Sequence, residues 1–557
     1  MAMHKSVYFL CLLLWGTGVF AQADHTFFLE AAPEITGHLI GYDPEIDGDV
    51  TVTYSVVVPA PEFQIEYQTQ VSPDGRFQLE VPRPLAKQQA WLTLDGFYFG
   101  PIIMEKGLSM TFDLRALREE GGRFGSPHVQ FSGPDGPLST YLNQYISYEI
   151  PRREGNPVME ILMDRQASAS DKWARVEQTF ERMARIEADF IAEHPSPLSS
   201  YLANERWSRY YGLALIIWRN EGLPDSLQQA LMDHQPLLLS NDCTDYYRYL
   251  GMYWKYPRPE EQLKIFQQVL PLDTEQQEER QRLNNFVQAW ADDLAGKAVD
   301  QDQLRSERNY VNEQYREVLF KARTDLFLRK VQQHPVSETR DLVRMYGGRE
   351  DIWEQDIYLA RVLPQMENDW LKAQMEERWA EIRDEMKAIA ERLSDIRIPN
   401  VPTSVGKTTG TLPNGAELIE AAPMSIDSLL AGLRHDVDSK PLILDIWATW
   451  CGPCMYDMKD ATANLQKLKE KGIELVYLCV ADGSSPETWQ KKVAEFDLPT
   501  RHVFLNKDQS RALMDYFNLR GYPSHVLLDA EGKFHKDVLN SISRLDWSAL
   551  QPFISSR

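Results

Sequence analysis

Residues Pro441-Leu442-Ile443-Leu444-Asp445-Ile446-Trp447 form an almost continuous apolar run broken by one carboxylate, and this segment restricts the fold more than any other in the chain. Such a run predicts a strand buried on both faces, the kind found inside a largely parallel sheet. Ala448-Thr449-Trp450-Cys451-Gly452-Pro453-Cys454 follows directly. Met458, Ala461, Leu465 and Leu468 then recur at helical spacing until Gly472, a residue suited to the position just past a helix end. The cysteine pair is therefore expected where a buried strand turns into a helix. Pro453 fits the first helical turn, where its missing N–H would have had no partner.

A thiol at that junction faces unpaired backbone N–H groups and the positive end of the helix dipole, which stabilise a thiolate. Cys451 is thus the expected nucleophile, with a pKa below the ordinary thiol value of about 8.5. Cys454, reaching back from the first turn, is the expected resolving thiol that breaks a mixed disulfide on Cys451. Asp445 loses hydration inside its strand, so its pKa should rise and it becomes a candidate proton acceptor for Cys454. The alternative is a buried aspartate satisfied by hydrogen bonds; the adjacent thiols favour the catalytic role. A zinc site needs four ligands, and Cys243 and Cys479 lie far apart without forming a second pair, so neither a metal nor another cofactor is expected. Those two cysteines are expected to be buried and inert.

With 557 residues the chain exceeds what a single core accommodates. Its 59 basic and 82 acidic residues give a net charge of -23, which repels phosphate backbones and makes nucleic acid an unexpected partner. His4 and Lys5, the apolar run from Val7 to Leu14, and Val19-Phe20-Ala21 predict a cleaved signal peptide over residues 1–21, too short to span a bilayer. No stable membrane span is expected after cleavage. The expected location is the periplasm or cell envelope, where so few cysteines suggest chemical rather than structural thiols. Residues 22–132 read as a small β-rich sandwich. Within it Ile65, Tyr67, Thr69 and Val71, the turn Ser72-Pro73-Asp74-Gly75, and Phe77, Leu79 and Val81 predict a β-hairpin. Residues 133–397 read as all-helical, from the spacing of Trp173, Val176, Phe180, Met183 and Phe190 and of Trp379, Ile382, Met386, Ile389 and Leu393. Residues 398–557 form the last domain, entered through a Pro- and Gly-punctuated segment that is either a linker or a strand-bearing lead-in.

The stretch from Leu444 to Cys454 closely resembles the thioredoxin active-site signature. Gly521-Tyr522-Pro523-Ser524-His525-Val526-Leu527-Leu528-Asp529, followed by Glu531-Gly532-Lys533, resembles the segment of that fold holding a cis-proline before the next strand. The resemblance implies an α/β thioredoxin fold for the last quarter of the chain. It also implies Cys451 as nucleophile, Cys454 as resolving cysteine, Asp445 as the buried acid and Pro523 as the cis-proline facing the disulfide. A cis bond there would present the backbone of Tyr522 to an extended substrate, with Trp450 adding an apolar face. The lead-in around Gly410 to Pro413, the insertion from Ala481 to Leu498 and export together resemble TlpA/ResA-type thiol-disulfide oxidoreductases with β-rich and helical N-terminal domains, of the kind common in Bacteroidetes-type bacteria. Phe190-Ile191-Ala192-Glu193-His194-Pro195 resembles a helical segment of such chains. The implied function is reduction of protein disulfides in the periplasm through a mixed-disulfide intermediate, with oxidase and isomerase as the other directions. Implied partners are protein thiol or disulfide clients and an upstream redox donor. The alternative reading is an envelope binding or scaffold protein whose upstream domains recruit a partner, with redox activity secondary.

Overall fold

The computed structural model describes Leu29 and residues 31–553, apart from 59–63, 95, 121–122, 154, 156, 349–350, 399–402 and 537; the expected signal peptide lies outside the described residues. The chain divides into two compact units. One comprises residues up to Trp254 with Lys330–Gly347 and Met366–Lys372, and the other holds Lys255–Arg329, Gly348–Gln365 and Ala373–Arg557.

The first unit opens with two small sheets. Strands Arg76–Leu79, Ile35–Ile40, Leu108–Asp113 and Val129–Ser132 form one in that order, and Gln64–Gln70, Thr51–Val57, Gln89–Leu94, Tyr98–Ile103 and Arg123–Phe124 the other. Their alternating burial brings inward-facing rings together: Tyr98 of the second sheet lies edge-on against Phe112 of the first at 5.5 Å. This is the expected β-rich sandwich. The hairpin predicted around Ser72–Gly75 is corrected. The turn forms, with Gly75 N–H donating to the Ser72 carbonyl at 2.8 Å, but its flanking strands pair into different sheets. Gln64–Gln70 pairs with Thr51–Val57, whereas Arg76–Leu79 crosses to Ile35–Ile40, where Phe77 packs over Gly37 so closely that a Cβ there would stand 2.0 Å from the ring. The turn is a corner between layers, because apolar alternation marks which face is buried and not which strand is the partner.

The middle of the chain is helical. Ala169–Glu193 buries Trp173, Val176, Phe180 and Phe190, and Asp369–Ser394 buries Ile382 and Ile389, so the aromatic and aliphatic stripes are core packing. Among the described residues, no helix is long and apolar enough to cross a membrane.

The second unit ends in a seven-stranded mixed sheet. Its strands are β1 (Gly406–Thr411), β2 (Glu417–Ala421), β3 (Leu442–Trp447), β4 (Glu474–Cys479), β5 (Arg501–Phe504), β6 (Ser524–Leu528) and β7 (Phe534–Lys536), in spatial order β1-β2-β5-β4-β3-β6-β7. Helices α1 (Ile426–Asp436), α2 (Gly452–Lys459), α3 (Thr462–Glu470), α4 (Pro486–Phe496) and α5 (Lys507–Tyr516) connect them. Every residue of β3 is buried; the strand runs parallel to β4 and antiparallel to β6. This is a thioredoxin-like α/β fold. The lead-in is strand-bearing: β1 and β2 extend the sheet beyond β5. The single helix expected after Cys454 is two helices, α2 ending at Lys459 and α3 starting at Thr462, with Gly472 at φ +74° just past the second.

Candidate active site

At the carboxyl end of β3 the chain leaves the sheet, and Cys451 becomes the residue that caps α2. Its Sγ accepts the backbone N–H of Cys454 at 3.2 Å, and the two cysteines are joined as a disulfide. An unpaired N–H at a helix start is thus aimed at this sulfur, which stabilises negative charge on it once the disulfide opens. Both cysteines lie almost wholly below the surface, Cys451 at 3% and Cys454 at 1% exposure. The register pairing Ile446 with Ser524 brings the residues before β6 to this same end of the sheet. The Tyr522–Pro523 bond found there is cis. Trp450, 54% exposed, meets the Tyr522 ring edge-on at 5.8 Å and donates its indole N–H to the Asp482 carbonyl at 2.6 Å. Cys451, Cys454, Trp450, Tyr522 and Pro523 therefore converge.

The loop after β4 braces this end. Thr449 N–H donates to Ser484 Oγ at 3.1 Å, and Gly483, at φ +68°, passes under the indole so closely that a Cβ would stand 2.7 Å from Nε1. Gly483→Ala is therefore expected to push the indole off Asp482 and to destabilise the loop by about 1–2 kcal/mol through its left-handed backbone. The indole N–H resonance of Trp450 reads this directly; an unmoved resonance contradicts the bracing.

Asp445 lies below the surface at the middle of β3, directly opposite His525 of β6. The structure adds two residues that sequence reasoning left without a role. His525 Nε2 stands 3.5 Å from an Asp445 oxygen and 3.5 Å from an Asp457 oxygen, and all three side chains are buried. Asp457 belongs to α2, one turn beyond Cys454. Its Oδ2 accepts the Ile542 N–H at 2.7 Å, and its Oδ1 accepts the Ser543 N–H at 2.8 Å and the hydroxyls of Ser541 and Ser543. Burial alone would raise the Asp457 carboxyl, but His525 and these donors outweigh it and hold the group well below the usual carboxylate range. Burial raises Asp445, and His525 offsets this only in part. For His525 burial opposes the charge, yet the two carboxylates prevail and raise its pKa to about 9. One oxygen of Asp445, Oδ1, is buried without a hydrogen-bond partner among the described residues, as is the hydroxyl of Tyr477, which pairs with Asp445 across β4.

The donor atoms of Asp445, Asp457 and His525 lie within 4.8 Å of one another, close enough to consider a cation. The oxygens of Asp457 are already filled by four N–H and O–H donors, whereas Asp445 Oδ1 and His525 Nε2 make no hydrogen bond among the described residues, and the imidazole is held by charge, 3.5 Å from each carboxylate. Cys243 and Cys479 are free and buried, and burial pushes both thiols up.

The family model Redoxin matches residues 432–541. A thiol-disulfide oxidoreductase ResA of Bacillus cereus is 28% identical over 105 residues, 19% of this chain and 57% of that protein. The thioredoxin-like protein YneN of Bacillus subtilis (strain 168) is 31% identical over 102 residues, 18% of this chain and 55% of that protein. The chain thus spans little more than half the length of these curated relatives. Among solved structures, the thioredoxin domain of a thiol-disulfide oxidoreductase from Bacteroides vulgatus aligns at 21% identity and a TM-score of 0.20, covering 22% of this chain and 84% of that one.

Proposed function

We propose, with a Redoxin domain at residues 432–541 as the premise, that this protein is an exported thiol-disulfide oxidoreductase that reduces protein disulfides in the periplasm or cell envelope. The observation that carries the reading is the Cys451 sulfur accepting the Cys454 N–H at the start of α2, beside Trp450, at the end of the sheet that also holds Tyr522 and the cis Pro523. In the reduced protein the Cys451 thiolate attacks one sulfur of a client disulfide; the client S–S bond breaks, its second sulfur leaves as a thiolate, and a mixed disulfide forms. Cys454 then gives its proton to Asp445 and attacks the Cys451 sulfur. The mixed disulfide breaks, the first client sulfur leaves and takes up a proton, and Cys451–Cys454 forms. The client has gained two electrons and the protein has lost two, to be restored by an upstream redox donor. The Tyr522 backbone and the Trp450 face hold the client segment across the opening.

The boundaries that fit this reading are a signal peptide at 1–21, a β-sandwich-like domain at 22–132, a helical domain at 133–397 and the redox domain at 398–557. The domains upstream of the Redoxin match would raise the local concentration of a client by binding it. The reduced full-length chain is expected to consume one model peptide disulfide per chain, with loss of the thiols at Cys451 and Cys454 alone. Retention of both thiols in excess peptide refutes the reading.

A further inference from the structure

We infer that His525 is a positioning residue for the resolving step: held as a cation between Asp457 and Asp445, it keeps Asp445 ionised and so able to take the proton of Cys454. The inference rests on the oxidoreductase reading and concerns a residue outside the cysteine signature. The groups facing the imidazole are Asp445 on β3 and Asp457 on α2, with the Tyr477 hydroxyl of β4 across from Asp445. Cys454 precedes Asp457 by one turn of the same helix. The cluster therefore joins two strands to the helix that carries Cys454.

Three features make the imidazole more than a packed ring. First, β3 and β6 pair Asp445 directly with His525, so their side chains share one face of the sheet at a register that cannot slip without exposing the apolar residues around them. Second, Asp457 is fixed as an anion by Ile542, Ser541 and Ser543 and supplies a permanent counter-charge. Third, the same sheet contains a control. His502 on β5 is also buried, stacks on Tyr477 at 5.1 Å and, among the described residues, bonds the Leu498 carbonyl alone; burial pushes its pKa down to about 4, so it is neutral. His525 differs in having two carboxylates within 3.5 Å, and its side chain is only 2% exposed. A cation buried beside a carboxylate favours the ionised carboxylate. Without it, Asp445 keeps its proton to higher pH and Cys454 has no acceptor near neutrality.

The test uses the full-length chain and two variants, His525→Gln, which removes the charge at similar volume, and His525→Lys, which restores one. The readout is the pH dependence of a single resolving step, the release by Cys454 of a thiol reporter bound to Cys451. In H525Q the rising limb of the profile is expected to move up by about one pH unit, so release at pH values below the limb slows about tenfold, while H525K keeps the limb near its original place. A limb that stays put in H525Q, or that shifts equally in both variants, overturns the inference, because a purely structural role lowers the rate at all pH values without moving the limb. A measurement on the unaltered protein keeps the matter decidable if H525Q does not fold. With isotope-labelled histidine, and the resonance assigned in whichever variant folds, the His525 imidazole is expected to remain protonated beyond pH 8, and titration near 6.5 refutes the proposal. That titration needs no turnover. A chain that transfers no thiol at any pH would instead count against the oxidoreductase reading.

Discussion

Cells producing the Cys454→Ser protein are expected to accumulate client proteins disulfide-linked to Cys451, and the Cys451→Ser protein is expected to lose disulfide reduction by at least about a thousandfold. The asymmetry follows from position. Cys451 is the capping residue of α2 and receives the Cys454 N–H, so its sulfur is the one whose negative charge the helix supports. Cys454 sits inside the first turn, where its own N–H is given to the Cys451 sulfur, and it needs a base. Removing Cys454 leaves attack intact and eliminates release, so the intermediate persists. The Cys451→Ser chain should trap nothing, since a serine in the same place has no accessible anion near neutral pH. Adducts are read by mass after thiol quenching. Equal trapping on Cys451→Ser and Cys454→Ser would sink the assignment of roles, and no trapping on Cys454→Ser with a reactive Cys451 would sink the mixed-disulfide route.

The second large effect is on stability in alkali. In the folded chain His525 is raised from 6.5 to about 9, so the fold binds its proton more tightly than the unfolded chain does. That contribution is complete below about 6.5 and is lost as pH climbs through about 9, and the gap corresponds to about 3 kcal/mol. Asp457 works at the other end: depressed in the fold, it stabilises above the ordinary carboxylate range and loses its contribution as acid protonates it. Asp445, raised by burial, favours the fold while protonated, so its ionisation on the way up also subtracts stability. Support from the cluster is therefore greatest in mildly acidic solution and falls toward pH 10. Amide hydrogen exchange of Leu442–Trp447, corrected for its intrinsic pH dependence, should show that decline in the unaltered protein and a much flatter profile in His525→Gln. Parallel profiles would exclude the imidazole as the source.

The parts of the site that lie close together in sequence were legible there. Asp445, Trp450, Cys451 and Cys454 fall within one strand-turn-helix passage, and the second landmark around Pro523 placed the cis bond where the structure has it. His525 was within that quoted landmark but carried no visible role, because its partner Asp445 comes from a strand far earlier and meets it only through antiparallel pairing. Asp457 did leave a signal, a carboxylate three residues after Cys454 and next to the inward-facing Met458, and it reads as an ordinary surface acid until the Ser541–Ser543 segment closes over it. The predicted hairpin at Ser72–Gly75 failed for a related reason. Local turn chemistry specifies that the chain reverses, while the choice of sheet depends on Phe77 finding the space above Gly37.

The place of β2 in the sheet also bears on how the domain can be cut out for study. The Redoxin match starts at residue 432, after β1 and β2, yet β2 pairs along β5 and its Leu418 and Ile419 are wholly buried. A fragment begun at that boundary would uncover one side of β5, and a bare strand edge recruits the edges of other molecules. Self-association of such a truncation would then reflect the missing lead-in and nothing native to the protein. A fragment intended to stay monomeric should begin ahead of Gly406.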